Sequence, residues 1–506
     1  MEYGKKPLIQ VLGTSSNSGK TTITMALCRH FSDLGYRVAP FKSVNMSLNS
    51  IALRDGREIS RSIWLQSVAA RTPPDYHMNP FLLKPEGNGK SQVIFNGKSM
   101  GVHTVSEYHE FMAREAMGII REDLEFLFDN YDIVVAEGAG SPAEINLFGR
   151  DFANTVVSEI WGTPAILVGD IDTGGVFASL YGTVKLMKNS DLLRWLIINK
   201  MRGDAGLLGS GIESIEKLTG KKVIGVVPYI GKLDLPGEDS LNYDPSEHLV
   251  STRIAVIKYP HMENYSEIDP LAAANIDFTY VDSSNKEMLE NAEAILLPGS
   301  KRVDRDLEYL HDEGITYYLK RAHTRGTMIL GICGGYQMLG KNIDFAGNQD
   351  YGNVSVKALG FLDINTIYEK EKKTGAAKGR FISETSGIEG EFEGYEIHYG
   401  KIITGNVNPL LFLDNETEGS ISENRRVIGT NIHGLLENQG FLEFFTGIHP
   451  TEFDYRKKID ENISKASQKI VRSLALHEIY RYLDLKGVEQ VNSTSGNADK
   501  IDYSTG

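Results

Sequence analysis

The chain has 506 residues, 41% of them hydrophobic, which is too long for one ordinary core and predicts two or three globular domains. A formal charge of −14 disfavours a nucleic-acid partner, because gripping a phosphate backbone calls for a basic surface. Two cysteines, Cys28 and Cys333, are too few for a disulfide framework, and there is no signal-peptide core or long apolar run, so a reducing cytoplasm is the expected location and no membrane partner is expected.

Short apolar runs at 8–12, 38–41, 133–136, 165–168, 196–198 and 223–227 alternate with amphipathic stretches over residues 1–235. That rhythm predicts a largely parallel sheet flanked by helices. Residues 236–251 turn to Pro, Gly, Asp and Glu without a period and read as a linker. A second α/β series is expected over 252–449, with strands at 253–257, 276–281, 294–297, 327–332 and 427–432. A charged helical segment follows at 450–490, and the Ser- and Asn-rich 491–506 reads as a disordered tail. The fold class is therefore α/β: two doubly wound, mostly parallel-sheet domains and a C-terminal helical segment.

After the first strand the chain reads Gly13-Thr-Ser-Ser-Asn17-Ser18-Gly19-Lys20-Thr21-Thr22 and then turns helical. Backbone amides of such a loop converge at a helix N-terminus, where the dipole also favours anions, so β- and γ-phosphates can sit there. Lys20 supplies a point charge and Thr21 a hydroxyl suited to Mg²⁺. Five residues separate the two glycines instead of the usual four, a spacing similar to that of the dethiobiotin synthetase group. Lys42, at the end of the second strand, could reach a transferring phosphoryl group. Glu137 ends the third strand, at the sheet edge where ligands of open α/β folds bind, and could complete a Mg²⁺ shell, with Asp55 or Glu58 as a third ligand. Asp170 and Asp172 end a further strand and suggest metal or substrate contact, although Asp172 could equally cap a helix. Asn199, after the next strand, is a candidate to read the adenine edge.

In the second half, an apolar strand enters Gly331-Ile-Cys333-Gly334-Gly335 and leaves as a helix, a nucleophile elbow with Cys in place of Ser. The helix N-terminus favours thiolate, and the Gly334 amide is a natural oxyanion donor. Gly299, in Leu297-Pro-Gly-Ser, could give a second from the end of another strand. His433 ends the last strand and is the expected base, with His398 as its rival.

Together these segments resemble the cobyric acid synthase family, in which a dethiobiotin synthetase-like amidoligase is fused to a class I glutamine amidotransferase. The resemblance runs through residues 40–50, 78–85, 137–146, 169–179, 331–340 and 394–398, spanning 8–436. It implies ATP- and glutamine-dependent amidation of the b, d, e and g carboxylates of a corrinoid, adenosylcobyrinic acid a,c-diamide. ATP and Mg²⁺ would then serve as substrate and activator, with no tightly bound cofactor, and the oligomeric state, monomer or homodimer, stays open. Val44 and Thr173 stand where the family often has glutamine and arginine. His433 is followed by Gly434 and Leu435 where class I amidotransferases carry Pro-Glu, so a Cys-His dyad is expected. Arg54, Arg57, Arg61 and Lys84 are candidate cations for the corrinoid carboxylates. Two other readings stand beside this one: a related fused amidoligase, such as cobyrinic acid a,c-diamide synthase or CTP synthase, and a non-catalytic P-loop switch.

Overall fold

The computed structural model describes residues 6–87, 89–147, 151–231, 253–346, 354–414, 416–451 and 453–485. The expected linker at 236–251 and the tail at 491–506 lie outside them.

The first sheet has six strands in the order Lys222–Pro228, Leu193–Met201, Ala165–Asp170, Leu8–Gly13, Ile133–Glu137, Val38–Phe41, all parallel. Strands Leu8–Gly13 and Ile133–Glu137 are buried at every position, as expected of a sheet covered on both faces by its crossover helices. The first strand sits inside the sheet, with Ala165–Asp170, Leu193–Met201 and Lys222–Pro228 following outward in chain order on one side and Ile133–Glu137 and then Val38–Phe41 on the other. This switch point opens a crevice at the carboxyl ends, where Gly13, Lys42, Glu137, Asp170 and Asn199 all emerge.

The second sheet begins with five parallel strands, Phe278–Val281, Ile254–Ile257, Ala294–Leu297, Met328–Ile332 and Val427–Thr430. It continues into antiparallel strands dominated by the pair Ile364–Phe381 and Glu391–Thr404. The expected strand at 427–432 is broken: it ends at Thr430, and His433 lies on a separate two-residue strand, Ile432–His433, paired with Tyr395 and Glu396.

The helix Tyr455–Arg472 folds back onto the first half. Ile459, Ile463, Ala466 and Ile470 form a helical stripe that shares a core with Leu27, Cys28 and Phe31 of the helix Lys20–Asp33. Asp454 caps its start on the Lys457 amide at 3.0 Å. Ser467 donates to the Ala26 carbonyl at 2.9 Å, and Asp460 pairs with the buried Arg29. The C-terminal segment thus closes over the back of the nucleotide-loop helix.

The two halves meet across a charged interface. Lys84, fully buried, pairs with Glu58 at 2.7 Å and with Glu263 from the second half, and Lys372 of the second half reaches Glu58 at 2.8 Å. Burial alone would push the Glu58 and Glu263 carboxyls up, but lysines outweigh it, Lys372 and Lys84 holding Glu58 well below its ordinary value and Lys84, Lys301 and Lys372 holding Glu263 down at about 2. Lys84 as a corrinoid-carboxylate cation is thereby corrected: its ammonium already has two carboxylate partners. Glu58 as a metal ligand is corrected for the same reason, and Asp55 pairs with Arg57 at 3.5 Å.

Candidate active site

The crevice of the first sheet gathers most of the residues singled out for nucleotide chemistry. Lys20 donates to the Ser15 carbonyl at 2.9 Å and to the Gly140 carbonyl at 3.1 Å, bridging the Gly13–Thr22 loop and the loop after Glu137. Glu137 is a buried hub: its Oε1 accepts from Thr21 Oγ1 at 2.8 Å and from Lys42 Nζ at 3.1 Å, and its Oε2 accepts from Gln66 Nε2 at 2.5 Å. A hydroxyl and a carboxylate at one point form an oxygen donor set that fits Mg²⁺, which takes one or two protein oxygens and fills its octahedron with water and phosphate. Gln66, from the helix Arg61–Ala70, is a member of this cluster that sequence reasoning missed. It carries no motif and reaches Glu137 only through the packing of that helix.

Asn199 takes a different place from the one expected. Its Nδ2 donates to the Ser18 carbonyl at 2.9 Å, and a side-chain Cβ on Gly19 would come within 2.0 Å of that nitrogen. Gly19 also has φ of +99°, so position 19 excludes other residues on two counts. The amide that was to read adenine braces the loop from behind. Lys200 adds to the brace, donating to the Asn17 carbonyl at 2.7 Å and pairing with Asp170 at 2.8 Å. Asp172 pairs with Arg202 at 2.5 Å and shows no capping bond to the helix Val176–Leu186. Both acids therefore already hold cations.

In the second half the strand Met328–Ile332 turns through Cys333 into the helix Gly334–Leu339. Cys333 has φ of +52°, a strained backbone for a residue with a side chain, as a nucleophile elbow demands. The close approach of the helix start to the neighbouring strand is possible because Gly335 carries no Cβ, which would lie 2.0 Å from the Leu297 carbonyl oxygen. Gly299 and Gly334 are neighbours here: a Cβ on Gly334 would lie 2.7 Å from the Ser300 nitrogen, and one on Gly299 would lie 3.8 Å from His433 Cε1. The oxyanion candidates, the imidazole and the elbow thus share one small volume.

His433 is fully buried, its ring stacked on Tyr395 with centroids 5.1 Å apart. Its Nδ1 lies 3.1 Å from Glu267 Oε1, and both oxygens of that carboxylate accept from the Gly434 amide at 3.0 Å. The other ring nitrogen, Nε2, has no hydrogen-bonded partner among the described residues. Burial works to lower the imidazole pKa, but the Cys333 thiol and the Glu267 carboxylate raise it to about 10. The expected dyad is therefore corrected to a Cys333, His433 and Glu267 constellation. His398, the rival base, is held elsewhere, with Nδ1 2.8 Å from the Gly400 carbonyl and Nε2 3.2 Å from Glu396.

A cleft of about 600 Å³ lies between the halves, lined by Arg54, Arg61, Trp64, Tyr76, Lys378 and Arg456 among others. Arg61, Trp64 and Val68 line it from one stripe of the helix Arg61–Ala70, whereas Gln66 faces Glu137 from the opposite side. Arg57 stacks on Tyr76 at 3.4 Å. No described helix is long and apolar enough to cross a membrane.

Comparison with known proteins agrees with this two-part architecture. Residues 9–241 match the model of the CobQ/CobB/MinD/ParA nucleotide binding domain, and residues 253–441 match that of the CobB/CobQ-like glutamine amidotransferase domain. A relative from Picrophilus torridus, named "Probable cobyric acid synthase", is 52% identical across 94% of this chain and 99% of its own length. One of the same name from Thermoplasma acidophilum is 51% identical across 90% of this chain and 95% of its own. The "Cobyric acid synthase" of Thermoanaerobacter sp. is 38% identical across 94% and 98%. With an elbow cysteine beside a buried imidazole in one half, a phosphate loop in the other, and such relatives aligned nearly end to end, the chain belongs to the cobyric acid synthase family.

Proposed function

We propose that the chain amidates the b, d, e and g carboxylates of adenosylcobyrinic acid a,c-diamide, using one ATP and one glutamine per amide. The observation that carries this reading is the pairing, in one chain, of the Cys333, His433 and Glu267 cluster with the Lys20, Thr21, Lys42 and Glu137 cluster.

In the glutaminase half, the Cys333 sulfur attacks the side-chain amide carbon of glutamine. The oxyanion is stabilised by backbone amides at Gly334 and beside Gly299. His433, held in orientation by Glu267, gives its proton to the departing ammonia, then takes one from the water that releases glutamate from the thioester.

In the synthetase half, ATP lies along the Gly13–Thr22 loop, held by the amides of Asn17, Ser18, Gly19, Lys20, Thr21 and Thr22. A substrate carboxylate oxygen attacks the γ-phosphorus, with Lys20 and Lys42 balancing charge on the transferring group. Ammonia then displaces phosphate from the acyl phosphate to form the amide. Thr21 and Glu137 would hold Mg²⁺, which supplies further neutralisation of phosphate charge when bound. Lys42 sits against Glu137 before substrate arrives, poised at the position where that charge develops. Arg54, Arg57 and Arg61 remain candidates to meet the corrinoid carboxylates. Asp170 acts through Lys200, which holds the Asn17 carbonyl of the nucleotide loop, whereas Asp172 pairs with Arg202.

The test is incubation with glutamine, MgATP and either the a,c-diamide or cobyrinic acid, with products counted by mass spectrometry. Amidation of the a,c-diamide at its b, d, e and g carboxylates supports the reading. Amidation only at a and c of cobyrinic acid, or ATP hydrolysis with no corrinoid product, contradicts it.

A further inference from the structure

Glu267 reaches His433 from a short segment that also carries contacts to the other half of the molecule. The segment starts with the two-residue strand Met262–Glu263, which pairs antiparallel with Gly299–Ser300, Glu263 lying opposite Gly299. It then turns at Asn264, where φ is +52°, and runs through a 3₁₀ turn, Tyr265–Ile268, that presents Glu267 to His433 and Gly434. Within six residues the chain supports an oxyanion strand on one side and orients the base on the other.

What fixes this segment comes from the synthetase half. Asn264 is 2% exposed; its Oδ1 accepts from the Ser50 amide at 3.1 Å, and its own amide donates to the Leu48 carbonyl at 3.4 Å. The preceding Glu263 pairs with the fully buried Lys84. Ser50 is tied in turn to Glu58, the second partner of Lys84, through an Oγ to Oε1 bond of 2.6 Å. Asn is one of the few side-chain-bearing residues that tolerates a left-handed backbone, and here its side chain also supplies the cross-domain acceptor.

We infer that Asn264, docked on Ser50 and Leu48, is a positioning residue for the glutaminase reaction, so that the synthetase half completes the glutaminase site by setting where Glu267 stands. Asn264 touches neither glutamine nor the reacting atoms; it acts through the turn that carries Glu267. The inference rests on the glutaminase assignment made above for Cys333, His433 and Glu267. It also gives a physical reason for two activities to share one chain, since the ammonia-releasing site is then fully formed only when the acid-activating half is docked against it.

The experiment compares full-length Asn264→Gly and Asn264→Asp with the wild type. Glycine keeps the left-handed turn but removes the Ser50 contact, whereas aspartate keeps an acceptor at the same place. Glutamine hydrolysis, glutamine-dependent amidation and amidation with added ammonium salt are measured on each. Asn264→Gly is expected to lose glutaminase kcat by about 10–100-fold, the scale of a misplaced catalytic group, with ammonium-dependent amidation retained. Asn264→Asp is expected to stay close to wild type. In Asn264→Gly the high-pH limb of the glutaminase profile assigned to His433 moves to lower pH, because a displaced Glu267 no longer raises the imidazole pKa. Unchanged glutaminase in Asn264→Gly overturns the inference, as does a parallel loss of both amidation activities or an Asn264→Asp variant as impaired as the glycine one. Wild type without glutaminase activity would instead overturn the function on which the inference rests.

Discussion

Glu267 Oε1 lies 3.1 Å from His433 Nδ1, although the two residues are 166 positions apart in the chain. A carboxylate there accepts from Nδ1 and favours the charged imidazole, leaving the Nε2 proton for transfer, the arrangement the proposed protonation of departing ammonia needs. Glu267→Gln keeps the size of the side chain and removes its charge. It is expected to lower glutaminase kcat by on the order of 10²–10⁴-fold with ammonium-dependent amidation unaffected. Steady-state glutamate release at saturating glutamine measures it.

Little in the sequence points to Glu267. It sits in Asn-Tyr-Ser-Glu-Ile-Asp-Pro, at the start of the second half, without a motif, and its partner is defined only once the loop folds across the end of the sheet. Cys333 and His433 are legible because each ends a strand beside glycines whose missing side chains the local backbone requires. Thr21 and Glu137 are legible for a similar reason: Glu137 ends a strand, Thr21 opens the helix after the loop that follows the first strand, and the parallel sheet brings such a loop and strand end together, here to 2.8 Å. Asn199 shows the limit of that argument, since an end-of-strand position does not tell which way the amide turns.

The same limit applies to the fold. Parallel strands announce themselves as short apolar runs, and both halves' central strands fall where those runs predict. The antiparallel pair Ile364–Phe381 and Glu391–Thr404 does not: in its central part, 369–378, the first strand reads Glu-Lys-Glu-Lys-Lys-Thr-Gly-Ala-Ala-Lys, mostly exposed and with no apolar alternation. The small sheet of Val44–Met46, Phe81–Gly87, Lys90–Phe95 and Lys98–Thr104 escapes for a related reason, as Val44–Met46 has only three residues and Lys98–Thr104 has no buried position to leave an apolar run. Lys84 illustrates the cost for the site: as one lysine in a strand it reads as a surface charge, and only the interface shows it between two carboxylates.

Thr21→Ala and Glu137→Gln each remove one oxygen of the donor set proposed for Mg²⁺. Both are expected to lower ATP-dependent amidation by about 10²-fold or more, with glutamine and with ammonium salt alike, while glutamine hydrolysis alone changes little. A titration of activity against Mg²⁺ is expected to move to higher concentration for Thr21→Ala. Isothermal titration of MgATP onto the two variants separates lost binding from lost chemistry.

Glu58 and Glu263 tie interface stability to pH. Both folded carboxyls lie below the ordinary value of 4.5, Glu263 at about 2, so their contribution is fully present above about pH 4.5 and is lost as pH falls toward 2. The urea midpoint of the wild type is expected to fall between about pH 5 and about pH 3. Glu263→Gln, which cannot titrate there, is expected to show a flatter dependence over the same window.

The C-terminal helix predicts a stability effect remote from either site. Asp460→Ala leaves the fully buried Arg29 guanidinium with the Val68 carbonyl at 3.3 Å as its one remaining hydrogen-bond partner among the described residues. Unfolding should become easier by about 2 kcal/mol, the scale of a lost hydrogen bond to a charged group. Thermal or urea unfolding monitored by circular dichroism reads it, with kcat expected to stay unchanged below the transition.

The central claim is that the two halves divide the reaction: a thiol in one releases ammonia, and the phosphate loop in the other activates the acid that captures it. Cys333→Ala tests this most directly, assayed with MgATP and the corrinoid a,c-diamide, once with glutamine and once with ammonium salt as nitrogen source. The account predicts that amidation from glutamine disappears while amidation from ammonium salt continues near the wild-type rate. Equal loss with both nitrogen sources, in a variant that unfolds at the wild-type urea midpoint, would contradict it.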